Sequence, residues 1–113
     1  MNLMSKLFGS LTPRGRALAA YKRGMDKAGQ RDLEGAISDY TVVVDMKGAP
    51  EDVIAMALLN RALAYSRAHQ DDKAGKDLDR VISMPGASKK VIHAAHEKLR
   101  RMERRVSPHN EHV

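Results

Sequence analysis

Gly24, Ala36 and Tyr40 come back as Ala62, Ala74 and Leu78, each displaced along the chain by the same amount. A fixed offset shared by three positions marks one supersecondary unit used twice, which restricts the fold more than composition does. Within Gly24–Tyr40 the chain carries a small residue in one helical pattern and a polar turn closing on Asp32. Ala36 and Tyr40 then stand one turn apart in a second pattern. That is a helix hairpin with its contact points specified. Gly24 costs roughly 1 kcal/mol relative to alanine in a helix, so it predicts a second helix crossing closely there.

Five helices follow from periodicity and punctuation. Thr12–Pro13 reads as an N-cap with proline in the first helical position, opening a helix to about Ala28. Gly29 is expected to end it in the left-handed conformation and Asp32 to cap the next, Leu33 to Met46, which Gly48 and Pro50 close. Pro50, Glu51 and Asp52 open a third helix through Ala68. A turn at Gln70 to Asp72 leads to a fourth, Asp72 to Met84, stopped by Pro85–Gly86. Ser88 caps a fifth, whose Ile92, Ala95, Leu99, Met102 and Val106 form one apolar seam; Pro108 is expected to end it. The domain reading is an amphipathic segment 1–11, a helical domain 12–106 and a flexible tail 107–113.

The palette agrees with close-packed helices. Aromatics are 4% of the 113 residues, and Ala, Leu, Met and Val carry the apolar content. The net charge of +6 is uneven: residues 1–31 carry seven basic and one acidic side chain, 32–85 six and ten, 86–113 seven and three. Acidic partners, self-association and one joint basic surface all fit that pattern, as does a solvated face. The lack of cysteine excludes disulfides and thiolate metal sites. With no run near the roughly 20 apolar residues of a membrane span and no signal-peptide core, the expected location is cytoplasmic. Leu3, Met4, Leu7, Phe8 and Leu11 form a short apolar strip open to several uses: packing on the domain, membrane contact, docking into another chain, or homodimer formation.

On these residues the chain resembles the tetratricopeptide repeat family, whose period is about 34 residues. Gly24, Asp32, Ala36, Ile37 and Tyr40 match in the first copy; Ala57, Ala62, Tyr65, Asp71, Ala74 and Leu78 match in the second. Ala20 and Lys27 replace expected large residues, Gly48 and Gly86 replace exit prolines, and the Gly48 loop is longer than usual. The resemblance implies an all-α fold of antiparallel hairpins stacked as a short right-handed superhelix, with repeats at 17–50 and 51–86 and a capping helix at 89–106. It also implies a concave groove for an extended peptide, lined here by Tyr21, Met25, Asn60, Leu63, Arg67, Lys90, His93, Glu97 and Arg100.

Asn60 and Lys90 coincide with two positions of the family's carboxylate clamp; Tyr21, Met25 and Ala94 replace the others. Two donors do not offset the lost hydration of a carboxylate. The implied groove is therefore mixed. Tyr21, Met25 and Leu63 would hold apolar side chains, Asn60 would bond a ligand backbone, and Arg67, Lys90 and Arg100 would favour acidic residues. The expected function is a non-enzymatic protein- or peptide-binding module without cofactor or metal. His93, His96 and Glu97 do not follow the zincin order, and no nucleophile elbow or phosphate loop occurs. A structural subunit using the apolar strip is one alternative. Nucleic-acid association through Arg100, Arg101, Arg104 and Arg105 is another, disfavoured by the few aromatics.

Overall fold

The computed structural model describes residues 12–111, which form five α-helices: α1 Pro13–Gly29, α2 Leu33–Asp45, α3 Glu51–Arg67, α4 Asp71–Ile82 and α5 Lys89–Glu111. No strand occurs among the described residues, so the all-α reading holds. The strip at Leu3 to Leu11 lies outside them. None of the five helices is long and apolar enough to cross a membrane.

Local chemistry sets most boundaries. The Gly15 amide donates to Thr12 Oγ1 at 3.0 Å, the Gly35 amide to Asp32 Oδ1 at 2.9 Å and the Val91 amide to Ser88 Oγ at 3.1 Å, capping α1, α2 and α5. Two expectations are corrected. Gly29 stays helical and Arg31, at φ 66°, takes the left-handed position instead. The Asp32 amide there donates back to the Lys27 carbonyl at 2.8 Å, a closure that fixes the reversal two residues beyond the glycine. The same turn recurs at the equivalent place in the second hairpin, with His69 at φ 63° and the Gln70 amide bonded to the Tyr65 carbonyl at 2.8 Å. The second correction concerns α5, whose backbone runs through Pro108 to Glu111. An interior proline loses its own N–H bond and crowds the carbonyl four residues back, a cost of about 3 kcal/mol that the helix carries here without ending.

Helix α3 is the centre of the molecule, touching all four others. Val53, Ala55, Ala57, Leu58, Ala62, Ala64 and Ser66 are all buried on it. Small side chains on several faces are what such surroundings admit. Helices α1, α3 and α5 pack side by side as one layer; α2 and α4 form the other and do not touch each other. Buried residues divide into a cluster around Ala20, Tyr40 and Val53 and a second around Leu58, Leu78 and Val81, with Val44 and Ile54 packed against both.

The predicted close crossing is present. Tyr40, 1% exposed, lies so near Gly24 that a β-carbon there would stand 2.5 Å from its Cε1. In the second hairpin the corresponding pair is Ala62 and Leu78, both fully buried, where a smaller apolar group leaves room for the alanine methyl.

Candidate binding surface

Polar chemistry concentrates where the repeat placed arginine and aspartate. Arg23 and Arg61 are equivalent positions of the two hairpins, as are Asp39 and Asp77. Arg61 Nε and Nη2 donate to both oxygens of Asp77 at 2.8 and 2.7 Å, and Nη1 donates to Thr41 Oγ1 at 3.0 Å, so one guanidinium joins α2, α3 and α4. In the first hairpin Asp39 meets Lys27 at 2.9 Å and Arg23 at 3.6 Å. No helix precedes α1 among the described residues, and Arg23 faces an open hollow lined with Ala19, Ala20, Val42 and Met46. The sequence reading missed these ion pairs, although the offset that aligns Gly24 with Ala62 also aligns Arg23 with Arg61 and Asp39 with Asp77; Lys27 has no such counterpart, since Tyr65 stands there.

Of the nine expected groove residues, five lie on α1 and α3. Tyr21 and Asn60 are joined directly: the Asn60 amide donates to the Tyr21 hydroxyl and to the Met56 carbonyl, both at 2.9 Å. Both amide hydrogens are thereby engaged, which leaves the side-chain oxygen as the free acceptor of Asn60. Met25, 47% exposed, and the half-buried Leu63 occupy equivalent repeat positions on neighbouring helices. Arg67 is exposed at the end of α3 and makes no ion pair among the described residues.

The four groove residues on α5 form a stripe of their own. Arg100 donates to Glu97, and His93 lies 3.9 Å from the same carboxylate. The Glu97 carboxyl is accordingly held below its usual range, by the Arg100 hydrogen bond first and then by its charge. Lys90 is exposed and unpaired among the described residues. The Lys98 ammonium, on the same helix, is held below the ordinary lysine range by burial first and then by Arg105 and Arg101, with Asp71 opposing and Arg67 adding to the shift. Among the described residues no three His, Asp or Glu side chains converge as a metal site.

Tyr21 and Tyr40 stack at a tilt, ring centres 5.9 Å apart. Burial pushes the Tyr21 hydroxyl above its ordinary value of 10, against the lowering effect of Asn60. Tyr40 is raised as well, by burial and then by the charge of Tyr21. A raised folded-state value means that this contribution to stability is intact below pH 10 and is lost as pH climbs through the folded values. The urea midpoint should therefore fall above about pH 10, with a smaller fall in Tyr21→Phe. An equal fall in that variant would show that other groups control the alkaline transition.

The described residues form an all-α domain in which Met25, Arg67 and Lys90 stand exposed, the two cations without ion pairs among the described residues. Comparison with family models, with curated proteins and with solved structures gave no match to the chain.

Proposed function

We propose that the protein is a non-enzymatic binding module of tetratricopeptide type, holding an extended, partly acidic peptide segment across α1, α3 and α5. The observation that carries this reading is the side-by-side packing of those three helices, with Met25, Leu63 and Arg67 on α1 and α3. Met25 is one of two large hydrophobic side chains left exposed among the described residues, and a surface methionine adapts to varied apolar partners. Arg67 and Lys90 attract carboxylates, while the Asn60 oxygen accepts a backbone N–H from the ligand. Arg100 contributes less charge, since Glu97 already binds it.

The test uses a fluorescein-labelled peptide alternating leucine and aspartate, followed by anisotropy. Met25→Ser and Arg67→Glu should each weaken binding by about tenfold, a loss of about 1.4 kcal/mol. Both side chains are exposed, so circular dichroism should remain that of the parent. Unchanged affinity in both variants removes the groove reading.

A further inference from the structure

Lys98, Arg101, Arg104 and Arg105 stand on successive turns of α5 and line one open hollow of about 450 Å³. Among the described residues Asp71 is the one carboxylate paired there, 3.3 Å from Arg105, whose guanidinium also donates to Ser66 Oγ at 3.5 Å. Both contacts are long. Lys98, Arg101 and Arg104 have no hydrogen bond or ion pair among the described residues. The Lys98 ammonium is held below the ordinary lysine range by burial first and then by Arg105, Arg101 and Arg67, with Asp71 acting the other way. One carboxylate would neutralise a single member of the group. A phosphate monoester brings a charge of about −1.5 to −2 and three acceptor oxygens that suit arginine forks.

We infer that this hollow receives a phosphoryl group carried on a serine, threonine or tyrosine of the segment lying along α1, α3 and α5. The assignment rests on the peptide-binding reading above. From Lys98 to Arg105 the helix rises only about 10 Å, the scale of one phosphate rather than of a nucleic-acid backbone. Asp71 and Asp72 stand at the start of neighbouring α4 and repel a longer polyanion. The tyrosines that would stack on bases are engaged elsewhere: Tyr40 is buried, Tyr21 bonds Asn60, and Tyr65 packs under Arg61 and Lys73.

The experiment titrates full-length protein with three probes: the leucine–aspartate peptide bearing one phosphoserine, the same peptide with glutamate there, and a single-stranded oligonucleotide of equal charge. The phosphopeptide should bind about tenfold tighter than the glutamate peptide. Arg101→Gln and Arg104→Gln should abolish that advantage. Arg80→Gln, which removes the same charge from an exposed position on α4, should keep it. Equal affinity of the two peptides, an advantage retained in both α5 variants, or tighter binding of the oligonucleotide would each overturn the inference. If the two peptides bind equally and Met25→Ser weakens both, the phosphoryl site fails and the groove stands. If neither peptide binds, both readings fall.

Discussion

Arg61→Ala should lower the unfolding free energy by about 3–5 kcal/mol, the loss expected when one member of a buried ion pair is removed. Small domains have about 5–15 kcal/mol in total, so the loss is a large fraction of the stability available. The side chains of Arg61 and Asp77 are 14% and 8% exposed, and the pair is bidentate. Without the guanidinium, the Asp77 carboxylate keeps its buried position and loses its bonds, while Thr41 on α2 loses its link to α3. Arg61→Lys should recover only part of the loss, because an ammonium cannot form the two-pronged contact. The double variant Arg61→Met with Asp77→Leu should be more stable than Arg61→Ala, since it strands no charge. Urea unfolding at neutral pH, followed by circular dichroism, measures all three. A loss below about 1 kcal/mol in Arg61→Ala would mean that the pair behaves like an exposed one.

Gly24→Ala should destabilise the fold even though alanine is the better helix former by about 1 kcal/mol. The added methyl meets the Tyr40 ring at 2.5 to 3.0 Å, and that ring is buried. Overpacking of this kind costs about 1–3 kcal/mol, so the steric effect exceeds the propensity gain or cancels it. The sign should reverse when Tyr40 is first changed to Leu, reproducing the Ala62 and Leu78 pair of the second hairpin. There Gly24→Ala should be neutral or stabilising by up to about 1 kcal/mol. A double-mutant cycle reads this as a coupling energy, and additivity of the two changes would show that Tyr40 yields freely to the methyl.

The Gly24 result depends on a feature visible in the sequence. Gly24 signalled a close crossing because a helix keeps an unfavourable residue only where something requires its small size. The recurrence of Ala36 at Ala74 and of Tyr40 at Leu78 supplied the opposing surface. Capping was equally readable: Thr12, Asp32 and Ser88 act within three residues of themselves, and each does what its side chain predicts. The reversal after α1 was misplaced on Gly29 because glycine is the usual left-handed residue, whereas here the backbone closure from Asp32 to Lys27 puts Arg31 in that conformation. Pro108 has the local chemistry of a stop, yet the helix continues through it to Glu111.

The surface was less legible than the fold. Tyr21, Met25 and Leu63 could be assigned to one face from helical spacing, but Asn60 could not be known to direct its amide toward Tyr21 and Met56. Nor could periodicity say that the Arg67 charge would act on Lys98, on a helix two elements further along the chain. By itself the sequence determined five helices, the caps at Thr12, Asp32 and Ser88 and the matching of two hairpins, since these depend on contacts within a few residues or on a strict repeat. Tertiary structure alone decided which cations would be neutralised and which left open. Arg61 meets Asp77 inside the stack, while Lys98, Arg101 and Arg104 remain without partners among the described residues, because electrostatic pairing depends on how neighbouring helices align.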